Sequence, residues 1–163
     1  MNPSAKPTGL ESISQNWKNR GKNITDIYSK QRRSEIMSKI RGKKTIPEEL
    51  IRKFLFSKGF RYRINDKRYP GRPDIVLPKY HTMIFVHGCF WHGHENCKAA
   101  TLPETNTEFW RKKISDNKAR DRKNIEKLRN EGWNVIVIWQ CEIKNKNYRE
   151  KRMELLIDTI INT

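Results

Sequence analysis

Residues 83–97 read MIFVHGCFWHGHENC, four apolar residues running straight into two cysteines and three histidines. The apolar run has the length of a buried strand. Cys89, His94 and Cys97 follow the spacing C-x4-H-x2-C, and Cys141 lies beyond 43 further residues, just after a second apolar run, NVIVIW (134–139). Three thiolates and one imidazole are the donor set of a closed, structural zinc site, and such soft donors favour zinc over hard cations. The alternative is three unrelated buried cysteines. With zinc in place, the loop after MIFV is clipped to the end of NVIVIW, which fixes the pose of whatever follows the first strand. An odd number of cysteines in a reducing compartment suits metal ligation better than a disulfide framework.

The chain has 163 residues, the size of one domain. Its 35 Lys+Arg against 18 Asp+Glu give a formal net charge of +17, far beyond what solubility requires. The natural partner is a polyanion, nucleic acid first, although a ribosomal or membrane-surface protein would share this charge. No run of about 18 apolar residues is present and the N-terminus lacks an apolar signal core, so the expected location is intracellular, cytoplasmic and DNA-associated, with no membrane partner.

Residues 1–25 lack a sustained apolar period and read as a flexible tail, leaving 26–163 as the domain. The segment DIYSKQRRSEIMSKIRGKK has a modest helical pattern (Ile36, Met37, Ile40) buried in Lys and Arg. It is either a basic arm along phosphates or a solvated helix face. TIPEELIRKFLFSKGF carries every helix signal: Thr45 as N-cap, Pro47 in the first turn, an apolar face of Leu50, Ile51, Phe54 and Leu55, and Gly59 as the stop. Thr45 and Glu48 have the spacing of a capping box. Strands are expected at RYRI (61–64), DIVL (74–77), MIFV (83–86) and NVIVIW, the last covered on both sides. A long helix is expected over about 107–130, with Trp110, Ile114, Ile125 and Leu128 on its buried stripe and Asp121 among them. MELLIDTII closes the chain as an amphipathic helix. This order predicts a single α/β domain with a central mixed sheet flanked by helices.

With Cys89, His94 and Cys97 assigned to zinc, His87 and His92 remain. Asp74 ends PGRPD and comes beside them if DIVL and MIFV pair as a hairpin. A carboxylate next to two imidazoles in a basic protein points to metal-assisted phosphodiester cleavage, with Mg²⁺ on Asp74 and the histidines as general base and acid. Taken singly, each histidine is an ordinary packed or surface residue.

The strings PGRPDIV, IFVHGCFWHGHENC and TEFWRKKISDNKARDRKNIEKLRNEGWNVIVIWQC closely resemble the very-short-patch repair mismatch endonucleases, a branch of the restriction-endonuclease-like PD-(D/E)xK superfamily. SKQRRSEIMSKIRGKKTIPEE is similar to the DNA-contacting N-terminal helix of that family, so the likeness spans roughly residues 26–145. It implies Asp74 as the Mg²⁺-binding aspartate, with the backbone carbonyl of Val86 completing the site. It implies His92 as general base supported by Glu48, and His87 as a second active-site histidine supported by Asp121. Phe90, Trp91 and Trp110 match the wedge that the family inserts beside a mismatch, and Lys30, Arg32, Arg33, Lys39, Arg41, Lys43 and Lys44 supply the basic segment. Two departures stand out: no ExK follows the PD motif, and Val86 stands where relatives often carry threonine. The implied activity is a Mg²⁺-dependent endonuclease that nicks one strand 5′ to the thymine of a T:G mismatch in DNA repair, acting as a monomer, with mismatch-repair proteins as candidate further partners. The alternatives are a sequence-specific restriction endonuclease on the same scaffold and a zinc-stabilised, non-catalytic DNA-binding protein.

Overall fold

The computed structural model describes residues 29–39 and 45–162. The described residues fall into two units, divided after Lys39. Of the first, helix α1 (Lys30–Lys39) is described; its exposed Arg32 pairs with Glu35 at 2.9 Å. The expected tail over 1–25 lies outside the described residues, as do Arg41, Lys43, Lys44 and the side chains of Lys30, Arg33 and Lys39.

The second unit starts with helix α2 (Ile46–Ser57), where the capping box forms: Glu48 Oε1 accepts from the Thr45 backbone N–H at 3.3 Å and from its hydroxyl at 2.9 Å. Ile51 and Leu55 present its apolar face. Strand β1 (Arg63–Ile64) is shorter than RYRI and lies at the sheet edge. Strands β2 (Ile75–Leu77) and β3 (Thr82–His87) form the expected antiparallel hairpin, with Ile75 opposite Ile84, joined by a 3₁₀ turn over Pro78–Tyr80. Helix α3 (Thr107–Asn130) carries the chain to β4 (Asn134–Trp139), which lies parallel to β3. A parallel pair requires such a crossover. The sheet order is β1-β2-β3-β4. A short helix α4 (Gln140–Lys144) leads into α5 (Lys146–Ile161), which contains the expected closing helix MELLIDTII and starts earlier; Asn145 divides the two, its side chain accepting from the Asn147 N–H at 3.0 Å.

Strand alternation sorts the core onto two faces. Ile75, Leu77, Ile84, Ile136 and Ile138 meet Ile51, Leu55, Ile143, Met153, Leu156 and Ile160 from α2, α4 and α5. Val76, Met83, Phe85 and Val135 meet Ile125 and Leu128 of α3. The sheet is therefore covered on both sides, which explains why β2 is apolar throughout and β4 is apolar from Val135 to Trp139.

Topology also decides where polar side chains collect. Because β2 runs against β3 while β4 runs with it, the start of β2 and the ends of β3 and β4 share one edge of the sheet. Asp74, His87, Cys89 and Cys141 all sit there. The register His87↔Trp139, continued two residues, sets Cys89 opposite Cys141. Among the described residues no helix is long and apolar enough to cross a membrane.

Candidate active site and metal centre

At that edge a cleft of about 900 Å³ opens, lined by Glu48, Asp74, Val86, His87, His92 and Asp121 among others. Asp74 Oδ2 accepts the Val86 N–H at 2.8 Å, so the hairpin itself aims this carboxylate and brings the Val86 backbone beside it. Its other oxygen has no hydrogen bond among the described residues. Burial pushes the Asp74 carboxyl up to about 6, opposed by the Val86 N–H, assisted by the Glu48 charge and opposed again by Arg52 and His92. A half-buried carboxylate with an unengaged oxygen, next to a main-chain segment, fits a hard divalent cation.

His92 comes back to this cleft because residues 88–94 turn twice on themselves, through His92 N–H to Gly88 O at 3.1 Å and His94 N–H to Cys89 O at 3.0 Å. The turn is pressed onto α3. Asn117 donates to the Trp91 carbonyl at 2.9 Å, Lys118 pairs with Glu95 at 2.8 Å, and Gly93, at φ +61, sits so tightly that a Cβ would lie 2.6 Å from Ile114. No other residue suits that position.

His92 Nδ1 lies 2.5 Å from Asp121 Oδ2. Burial acts to raise the Asp121 carboxyl, but the hydrogen bond from His92 and the charges of His92, His87 and Arg120 outweigh it and hold it below the usual range. Asp121 is thus the ionised acceptor and Nδ1–H the donor. The expected pairing set Glu48 behind His92 and Asp121 behind His87; here Asp121 bonds His92 and its charge also acts on His87. The Glu48 carboxylate is gripped by Thr45 and, through Oε2, by the Arg52 guanidinium at 2.9 Å, deep in the wall of the cleft.

His87 stacks on His92, rings 3.9 Å apart and parallel within 7°. Burial, then the charge of His92, brings His87 down to about 4 against the pull of Asp121, so it is neutral at pH 7. The donor atoms of His87, His92 and Asp121 lie within 4.8 Å of one another. An ion bound by an imidazole nitrogen lies near the plane of that ring, however, and two parallel stacked rings have no plane in common. In this arrangement the pair does not share an ion, which leaves both rings available for proton chemistry.

The four expected ligands Cys89, His94, Cys97 and Cys141 also converge, with donor atoms within 4.8 Å of one another and Cys141 Sγ 3.4 Å from His94 Nδ1. Burial and then the neighbouring thiols push Cys141 up to about 12; burial raises Cys89, whereas the Ala99 N–H lowers Cys97. Three thiols in this space ionise together only around a cation, so the donor set fits a thiophilic dication. Trp139 joins this cluster to the cleft: His94 stacks on it at 4.1 Å and His87 meets it edge-on at 5.3 Å. Glu142 fixes the start of α4 by accepting the Trp139 N–H at 2.6 Å and Arg152 at 2.9 Å, which orients Cys141 between them.

Phe90, Trp91 and Trp110, half-buried, form a T-shaped cluster with centroids 5.1 to 6.0 Å apart. Phe109, 62% exposed and edge-on to Trp110 at 5.2 Å, enlarges this patch, although no sequence signal sets it apart. Asn117 is likewise unanticipated, although Ile114, Asn117, Asp121, Ile125 and Leu128 recur at helical spacing and mark one face of α3. Arg72, Arg120, Asn124 and Gln140 also line the cleft; they lie within the motif strings but nothing in their local sequence marks them as facing it.

Residues 25–98 match the model of the family described as DNA mismatch endonuclease Vsr. A type II nicking enzyme of Neisseria meningitidis serogroup A, V.NmeAIP, is 53% identical over 137 residues, covering 84% of this chain and 97% of that one. The type II nicking enzyme V.XorIIP of Xanthomonas oryzae is 43% identical over 135 residues, 83% of this chain and 98% of that one. The DNA mismatch endonuclease Vsr of Escherichia coli is 39% identical over 123 residues, 76% of this chain and 78% of that one. The hairpin carboxylate Asp74 and the histidine pair His87 and His92 fall inside residues 25–98, and with relatives this similar over most of its length the chain belongs to the Vsr family of DNA mismatch endonucleases.

Proposed function

We propose that this chain nicks one strand of duplex DNA on the 5′ side of the thymine in a T:G mismatch, with Mg²⁺ in the cleft and zinc on the cysteine cluster. The observation that carries the reading is the convergence of Asp74, the Val86 main chain and the His92–Asp121 pair in one open cleft. A non-catalytic DNA-binding protein has no use for a carboxylate kept half-buried beside a buttressed imidazole. The nicking enzymes among the relatives support single-strand cleavage.

Asp74 and the Val86 carbonyl would hold the Mg²⁺. Bound there, the ion supplies charge stabilisation for the phosphate oxygens and a more acidic water. His92 donates Nδ1–H to Asp121, which fixes the tautomer and leaves Nε2 as the lone pair that accepts a proton from the attacking water. Asp121 stabilises the imidazolium so formed. His87 is neutral and brings an N–H that hydrogen-bonds the reacting phosphate or the departing oxygen. Zinc on Cys89, His94, Cys97 and Cys141 is structural in this reading, since four protein ligands leave no open position. Phe90, Trp91 and Trp110 form the wedge: a mismatched step is already poorly stacked, so parting it costs less than parting a paired one.

The test is incubation of the purified chain with duplexes that carry or lack a single T:G pair, in varied sequence contexts, with Mg²⁺ or EDTA. A single-strand nick 5′ to the mismatched thymine, dependent on Mg²⁺, is expected. Equal cleavage of matched DNA at a fixed sequence would favour a restriction nuclease instead, and binding without cleavage would leave a DNA-binding protein.

A further inference from the structure

We infer that Arg72 is a substrate-binding residue that grips a backbone phosphate of the cleaved strand, at or immediately beside the scissile position; the inference rests on the proposed nicking function and deepens it. Two arginines line the cleft, Arg72 and Arg120. Arg120 leans on Asp121, 3.7 Å away. The Arg72 guanidinium has no hydrogen bond, ion pair or ring contact among the described residues, and the residue is exposed at the rim. A guanidinium with five donors and nothing to satisfy them, at the mouth of a cleft that takes a polyanion, is built for phosphate.

The main chain beneath it strengthens the case. Arg72 adopts φ +51, a region that a side-chain-bearing residue seldom enters and that a following proline makes harder still. Its N–H is nevertheless tied to the Tyr69 carbonyl at 3.1 Å, and Pro73 behind it is buried. Gly71, at φ +73, lies close against Asn124 and Phe85. The backbone is thus a fixed pedestal while the side chain is free. Glycine or asparagine would hold this turn with less strain, so what arginine adds here is its side chain and not its backbone. Two residues span at most about 7 Å. Arg72 therefore stands within one nucleotide of whatever phosphate Asp74 addresses.

The experiment pairs Arg72→Gly, which suits the turn, and Arg72→Lys, which keeps the charge, with T:G duplexes carrying one neutral methylphosphonate at successive positions around the nick. Binding is measured in EDTA and nicking in Mg²⁺. On unmodified DNA, Arg72→Gly is expected to bind and cleave roughly 10- to 100-fold less well, with melting temperature unchanged or raised. Arg72→Lys should recover part of that loss, since lysine offers a point charge without the fork. At one methylphosphonate position the difference between wild type and Arg72→Gly should vanish, because the partner charge is already gone. An equal difference at every position, or Arg72→Gly binding and cleaving as wild type does, overturns the inference while leaving the nicking function standing. If the coupling to one phosphate is found but the wild-type chain does not nick, the contact stands and the nicking function falls.

Discussion

The cysteine cluster and the carboxylate cleft meet at one indole ring, Trp139, yet they hold their charges in opposite ways. The cluster gathers three thiols and an imidazole from the loop after β3 and the start of α4, and all its donors point at one another. The cleft spreads its groups around a space of about 900 Å³ and leaves one Asp74 oxygen and the far side of the histidine pair facing it. A closed set of donors contributes to folding; an open set is available for chemistry. The shared ring makes the first the support of the second, because His94 on one ring contact and His87 on another cannot move independently of Trp139.

The difference can be broken from either end. Cys141→Ser should remove zinc and most of the stability, on the order of 10 kcal/mol of metal-linked folding free energy being at stake, and should take activity with it. Metal analysis and a melting curve check this, with about one zinc per chain expected for the wild type; a metal-free chain that melts as the wild type does would falsify the cluster's role. Asp74→Asn should do the reverse, abolishing Mg²⁺-dependent nicking, at least about 1000-fold, while zinc content and DNA binding persist.

Acidity sharpens that contrast. Asp74 ionises only as the pH passes about 6, so Mg²⁺-dependent nicking should rise through that pH, and its midpoint should fall as Mg²⁺ is raised, since cation and proton compete for one carboxylate. The metal-free fold responds with the opposite sign. A carboxyl whose folded pKa lies above its unfolded value stabilises most when protonated and loses that contribution between about 4 and about 6 as pH rises. Asp74→Asn should therefore be no less stable than wild type at pH 7, and more stable by at most about 3 kcal/mol, a ceiling that partial solvation lowers.

Smaller effects test the supports within the cleft and beside it. Asp121→Asn leaves His92 without its ionised acceptor and should cost roughly 100-fold in kcat, with little change in KM and a shifted acid limb or tautomer signature by nuclear magnetic resonance. Loss confined to KM would remove Asp121 from proton chemistry. Trp91→Ala should weaken binding to T:G duplexes by about 1–3 kcal/mol more than to matched ones. Equal weakening of both, at several salt concentrations, would reassign the aromatic patch to packing.

Much of this molecule is written in local sequence. The capping box at Thr45 and Glu48, the stop at Gly59, the hairpin of β2 and β3 and the apolar strand β4 all follow from neighbours within a few residues, where propensity and periodicity act directly. The convergence of Cys89, His94, Cys97 and Cys141 is equally legible, because few arrangements use every cysteine of a chain at metal-binding spacing. What local sequence could not decide is which acid meets which base. Glu48 and Asp121 are both evident in the sequence, but the partner of His92 depends on how residues 88–94 coil back and on which face α3 turns toward them, and that is decided by Gly93 pressing on Ile114 and by Asn117 on the Trp91 carbonyl. Arg72 was invisible for the same reason: its lone guanidinium and its positive φ are properties of the folded rim, where long-range packing fixes a backbone that its own residue type disfavours.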